Sequence, residues 1–187
     1  MDNEIEPLYL ETKVSKKISL EPYELNNDIL YNIKNKLIKL EKKCYRFGYL
    51  HKVLNVLKYD DGIVPPEDLM CRTVYPVLFE CLICDPQINK VIITKIRSID
   101  DTLISSEVGP IHIITPPNRL TKNFKMKDSN LLYVEENGEE TLLKKGDYIK
   151  VVILNKKFNE YDEIIKAIGN IIGIPTEDEI KKSLKVF

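Results

Sequence analysis

The stretch that decides the fold opens with Tyr45-Arg46-Phe47-Gly48-Tyr49-Leu50. It passes through the turn Asp60-Asp61-Gly62-Ile63-Val64-Pro65-Pro66-Glu67-Asp68 and closes with Cys71-Arg72-Thr73-Val74-Tyr75-Pro76-Val77-Leu78-Phe79. Phe47, Tyr49, Val53, Val56 and Leu57 are apolar positions broken by polar ones, the pattern of a half-buried strand. Gly48 lies within it, where glycine marks a bulge or a close backbone approach. Two prolines and a glycine forbid regular pairing across the turn, and a second strand runs from Cys71 to Phe79. The turn is rigid yet carries Ile63 and Val64 at its tip, an apolar surface that suits docking to another protein. On turn chemistry alone, a surface hairpin with incidental apolar residues fits as well.

Working outward, Leu8, Leu10, Val14, Ile18 and Leu20 give an even-numbered apolar face for an earlier strand. Glu21-Pro22-Tyr23-Glu24 is expected to start a helix, since proline is tolerated in a first turn. Leu25, Ile29, Ile33 and Leu37 then recur every four residues, with Lys39, Lys42 and Lys43 at the end where positive charge complements the helix dipole. One helix on an antiparallel sheet accounts for residues 1–80. Past Phe79 the elements shorten: Val91–Ile96, Thr102–Ile104, Ile111–Ile114, Tyr148–Leu154 and Ile164–Ile172 read as strands. Tyr133-Val134 and Thr141-Leu142-Leu143 flank an Asn137-Gly138 hairpin signal. Residues 81–187 therefore fit a small closed barrel of the OB type, ending in a capping box, Thr176-Glu177-Asp178-Glu179, that puts Ile180 and Leu184 on one face of a short helix. The expected fold class is α+β followed by all-β.

Composition bounds the function. The chain has 187 residues, 43% hydrophobic and 30% charged, as in ordinary soluble proteins. No apolar run has the length of a membrane span, and the acidic start does not resemble a signal peptide, so an intracellular or virion-packaged protein is expected. Residues 1–80 sum to a formal charge of −1 and residues 81–187 to zero. Tight nucleic-acid binding normally needs a basic face, so any such role is weak or shared with a larger assembly.

Catalytic chemistry is sparse. Cys81-Leu82-Ile83-Cys84 has metal-knuckle spacing, but Cys44 and Cys71 make a poorly spaced second pair, and buried apolar thiols are the simpler reading. His51 and His112 have no neighbouring nucleophile in the sequence, and no glycine-rich phosphate loop is present. No catalytic residue, metal or cofactor is expected. OB barrels bind single strands through aromatics on central strands; here Leu103, Ile104, Ile111, His112 and Ile113 occupy them. The only positive loop cluster is Arg119, Lys122, Lys125 and Lys127, candidates for weak RNA contact.

The ordered set of a strand, Leu20-Glu21-Pro22, a helix, Arg46-Phe47-Gly48-Tyr49 and Gly62-Ile63-Val64-Pro65 resembles the larger stalk subunit of eukaryotic and archaeal RNA polymerases, the seventh subunit of RNA polymerase II. Val108-Gly109-Pro110-Ile111-His112-Ile113 and Ala167-Ile168-Gly169 match that family's barrel motifs in order. The resemblance covers nearly the whole chain. It implies a non-catalytic subunit with a tip domain (1–80) and an OB domain (81–187). Gly62, Ile63, Val64, Pro65, Pro66 and Glu67 would touch the polymerase core at the clamp base, a smaller subunit would complete the stalk, and the barrel would stand beside the nascent RNA. The tip loop is shorter than the family's and lacks its arginine, and Ile171–Phe187 runs past the usual end. Few arginines and abundant Ile and Asn suit a large DNA virus encoding its own polymerase, which would place the protein in a cytoplasmic viral factory or virion; a cellular version would be nuclear. A free-standing OB-fold RNA-binding protein of translation or RNA processing is the alternative, and leaves the first half without a role. A small hydrolase using Cys81 or Cys84 with His51 ranks third.

Overall fold

A computed structural model describes residues 7–127, 130–134 and 140–184. The chain divides into two compact units, one built from Tyr9–Cys84 and one from Asp85 onward. In the first, β1 (Leu10–Leu20), β2 (Lys43–Tyr45), β3 (Gly48–Tyr59) and β4 (Thr73–Cys84) form an antiparallel sheet in the order β1-β4-β3-β2. The sequence puts a break after Glu80; β4 carries on to Cys84. Thr73, Tyr75, Val77, Phe79 and Cys81 alternate to the buried face of β4, as the two-residue side-chain period of a strand requires. Ile18 and Leu20 of β1 and Ile33 and Leu37 of α1 (Ile29–Ile38) close the core over them.

The helix starts later than the sequence suggests. Pro22–Glu24 is only a 3-10 turn, closed by the Glu21 N–H donating to the Glu24 carboxylate at 2.8 Å. Asn26 then competes with helix formation: its side-chain oxygen accepts from the Asp28 N–H at 2.9 Å, a local bond of the kind that favours turns over helix interiors. Gly48 also has a different task from the one expected. It ends a tight connection between β2 and β3, opposite Tyr45, with φ +111, a conformation open to glycine at little cost.

The second unit is mainly a closed five-stranded barrel, consistent with an OB-like fold. Its strands are β5 (Val91–Ile99), β6 (Ile104–Val108), β7 (Ile111–Thr115), β11 (Tyr148–Lys157) and β12 (Ile165–Gly173), in the cyclic order β11-β12-β7-β6-β5. Only β7 and β12 are parallel. Interior positions hold Ile104, Ile113, Ile149, Val151, Ile153, Ile165 and Ile171, all fully buried. The motifs behind the resemblance have structural causes here. Gly109 turns β6 into β7 with φ +52, and the Pro110 carbonyl accepts from the Ile165 N–H at 2.8 Å. Ala167 and Gly169 are both buried on β12, and at Gly169 a side chain has no room.

Between β7 and β11 the structure departs from the sequence reading. β8 (Phe124–Lys127), β9 (Asn130–Val134) and β10 (Glu140–Leu143) form a separate three-stranded sheet, so the expected hairpin strands are not barrel strands and the lysine-rich stretch is not a loop. Phe124 is buried and its ring lies 5.0 Å from that of Tyr133, which draws this stretch into the sheet. The Asn137-Gly138 turn lies outside the described residues. At the end, α2 (Glu177–Leu184) begins with the expected capping box: the Thr176 N–H donates to the Glu179 carboxylate at 2.7 Å, and the Glu179 N–H donates to the Thr176 hydroxyl at 3.4 Å. Leu184's side chain, and with it the expected pairing with Ile180, lies outside the described residues.

Lys150 on β11 fastens this helix by donating to the other Glu179 oxygen at 2.7 Å, and this bond is the main reason the Glu179 carboxyl stays below the usual carboxylate range. A depressed carboxylate pKa stabilises the docked state fully above the ordinary glutamate range, and that contribution is lost as pH falls through the depressed value. The expected outcome is that α2 amides keep their hydrogen-exchange protection from neutral pH down through the ordinary glutamate range and lose it below, whereas Glu179→Gln gives weaker protection at neutral pH.

Candidate protein-docking and nucleic-acid surfaces

The loop between β3 and β4 is held at both ends and apolar at its tip. Gly62 lies so close to Thr73 and Tyr75 that an added Cβ would run into the Thr73 methyl and sit 2.6 Å from the Tyr75 ring. Glycine is needed here for close approach. Ile63, expected to be free of pairing, instead makes both backbone bonds of an antiparallel bridge with Val74, at 3.0 and 2.8 Å. On the return side the Asp68 N–H donates to the Pro65 carbonyl at 3.0 Å, and Arg72 grips both Asp68 oxygens at 2.8 and 3.3 Å. That hydrogen-bonded guanidinium holds the Asp68 carboxyl below its ordinary range.

On this frame Ile63 is 66% exposed and Val64 48%, with Pro66 and Glu67 also exposed and Gly62 and Pro65 half-buried. Two further apolar residues belong to the same surface and escaped sequence reading: Leu69 at 96% and Met70 at 69%. Their signal in the sequence is two large apolar residues between Asp68 and Cys71, at the end of a turn where a polar pair would be usual. Of the nineteen large apolar side chains exposed among the described residues, fourteen lie in Tyr9–Cys84. Large exposed apolar patches mark protein contact surfaces, and the first unit holds most of the exposed apolar residues from which one could be built.

The basic candidates do not converge on one loop. Arg119 is exposed at the end of the 3-10 turn Pro117–Arg119, and Lys122 follows it. Between them Leu120 bridges to Ile171, and the Thr121 hydroxyl donates to the Ile171 carbonyl at 3.2 Å, so both cations flank a segment docked on β12. Lys125 is exposed on β8 of the separate sheet; Lys127 ends that strand, and its side chain lies outside the described residues. A second set of cations emerges on the barrel exterior. Register places Tyr148, Lys95, Glu107, His112 and Lys166 in one row across five strands, with Arg97 beside it donating to Glu107 at 3.2 Å. No Phe, Tyr or Trp stands on the outer faces of β6 and β7, where Ser105, Glu107, His112 and Ile114 lie.

The cysteines do not gather. Cys81 and Cys84 are three apart on β4, which puts them on opposite faces of the sheet. Burial pushes the Cys81 thiol up to about 11, and it donates to the Thr12 carbonyl at 3.7 Å. The His51 ring lies tilted against the Tyr9 ring at a centroid distance of 4.2 Å, and burial lowers its pKa, favouring the neutral ring. Among the described residues no group of three or more His, Cys, Asp or Glu side chains is arranged to hold a metal, and no helix is long and apolar enough to cross a membrane.

No family profile matches the chain. It is similar to a protein of Acanthamoeba polyphaga mimivirus described as a DNA-directed RNA polymerase subunit: 32% identical over 176 residues, which cover 93% of this chain and 87% of that protein. A match over 176 of the 187 residues takes in most of both the sheet unit and the barrel.

Proposed function

The chain belongs to the family of DNA-directed RNA polymerase subunits that includes this mimivirus protein, and we propose that within its polymerase it is the non-catalytic stalk subunit. The loop from Gly62 to Glu67 docks the sheet unit at the clamp base, a smaller subunit completes the stalk, and the barrel stands beside the emerging transcript. The observation that carries this reading is the pinned apolar tip: a bridge at Ile63–Val74 and the Asp68–Arg72 grip hold exposed Ile63, Val64, Leu69 and Met70 in place before any partner arrives. A preorganised apolar surface loses little conformational entropy on docking. To test it, a photoreactive cross-linker is placed at Val64 of the assembled polymerase. Attachment to the clamp region of a large subunit supports the reading; attachment elsewhere on the enzyme refutes the stalk position.

The RNA contact proposed for the barrel is weak. The half that contains it has no net charge, and the outer faces of β6 and β7 carry no Phe, Tyr or Trp for bases to stack on. The isolated protein is expected to bind single-stranded RNA at roughly micromolar affinity or poorer, without sequence preference, with a salt slope of about one to three ion contacts. Changing Lys122, Lys125 and Lys127 to Glu should remove most of that binding and leave polymerase assembly intact. Anisotropy titrations at two salt concentrations check it; tight, sequence-selective binding by the lone chain would favour a free-standing RNA-binding protein.

A further inference from the structure

We propose that the polymerase receives the loop between β3 and β4 in an apolar pocket with a basic rim. Leu69 is the side chain that fills this pocket, and Arg72 is a positioning residue that holds Leu69 outward. This rests on the docking reading above and adds to it the chemistry of the receptor.

Four large apolar side chains, Ile63, Val64, Leu69 and Met70, face water within one loop, and Leu69 is the most exposed of them. The loop does not collapse over them, because Asp68 is bonded at every polar group. Its N–H donates to the Pro65 carbonyl at 3.0 Å, and its carbonyl accepts from the Cys71 N–H at 2.9 Å. Its carboxylate accepts from the Met70 N–H at 3.0 Å and from the Arg72 guanidinium at 2.8 and 3.3 Å. These bonds enclose Leu69 in the chain without using any group of its own. Cys71 is held at φ +51, a left-handed conformation that residues with a side chain adopt at a cost. The turn therefore fixes Leu69 at its apex before a partner arrives, and little conformational entropy is lost on docking. A side chain open to water on nearly every side leaves water completely only inside a concavity.

Charge describes the rim of that concavity. From Asp60 to Arg72 the loop holds four carboxylates and one guanidinium, with no lysine or histidine. Arg72 is engaged by Asp68, and Asp60 by Lys58 at 2.7 Å. Asp61 and Glu67 are exposed and form no ion pair among the described residues. They flank Ile63 and Val64 in the chain, so free carboxylates border an apolar centre. Carboxylates brought to an interface need cationic partners, and complementary rim charges speed encounter. Lysine or arginine around an apolar pocket fits this loop. A phosphate backbone is repelled by it, so the receptor is protein.

Binding kinetics of the full-length chain on polymerase assembled without it, at two salt concentrations, test the inference. Leu69→Ala should weaken binding about ten- to a hundredfold, mostly through faster dissociation, at an unchanged melting temperature. Asp61→Lys combined with Glu67→Lys should slow association more than about tenfold at low salt, and less as salt rises. Arg72→Gln should weaken binding in the native background and add little in the Leu69→Ala background, a coupling that a direct contact with the receptor would not produce. If Leu69→Ala binds normally while Ile63→Asp with Val64→Asp abolishes binding, the inference is overturned and the docking reading stands. Association that the charge reversal leaves unchanged or quickens overturns the basic rim, and additive losses from Arg72→Gln and Leu69→Ala remove Arg72 as a positioning residue. A chain that binds no polymerase removes both readings.

Discussion

Replacing Ile63 and Val64 with aspartate removes the chain from the polymerase while leaving it folded. The fold should not notice the change, because both side chains point largely into solvent and the Ile63–Val74 bridge is made by backbone groups that the substitution keeps. Exposed substitutions of this sort usually alter stability by no more than about 0.5 kcal/mol. The docked state has no such tolerance. Two carboxylates buried without partners each cost several kcal/mol of desolvation, and about 1.4 kcal/mol corresponds to tenfold in affinity. A loss of roughly a thousandfold or more in affinity follows, enough to abolish co-purification. An unchanged melting temperature alongside lost incorporation is the expected pair of results; normal incorporation of the double variant would remove the loop from the interface.

Gly169→Ala should unfold the barrel far more readily than Gly173→Ala, although both glycines lie on β12. At Gly169 a Cβ would overlap the Val151 side chain, approach the Val152 carbonyl oxygen to 2.9 Å and the Ile113 methyl to 3.2 Å. The carbonyl belongs to the neighbouring strand and cannot turn aside as a side chain does. Overpacking of this type costs about 1–3 kcal/mol or more. At Gly173 nothing lies within 4 Å of the added carbon, so alanine should be nearly neutral there. Denaturant melts of the two variants, read on barrel signals, give the comparison directly.

The same glycine explains how much of the molecule was legible in advance. Ala167-Ile168-Gly169 and Val108-Gly109-Pro110 stood out through their resemblance to a family's barrel motifs, and the structure gives a physical reason for a glycine in each: Gly169 has no room for a Cβ and Gly109 turns with φ +52. The strands of both units were legible for a related reason: Tyr75, Val77 and Phe79 alternate over a buried face. What stayed hidden depended on side chains acting at a distance or on competing local bonds. Asn26 halts the helix by bonding to its own chain. β8 forms because Phe124 packs on Tyr133, a contact no periodicity in Lys122–Lys127 announces. The barrel's row of Lys95, Glu107, His112 and Lys166 exists only once strand register is known. Leu69 and Met70 were readable as apolar but not as exposed, because exposure depends on the Asp68–Arg72 grip that folds the turn beneath them.

The most direct measurement is an affinity purification of the tagged chain from cells that make the complete polymerase, with the co-purifying subunits quantified. The account predicts that the large catalytic subunits appear in equal molar amount with the tagged chain and remain through a high-salt wash, since an apolar docking surface is little affected by screening. Recovery of the chain alone, or with RNA and no polymerase subunits, would contradict it.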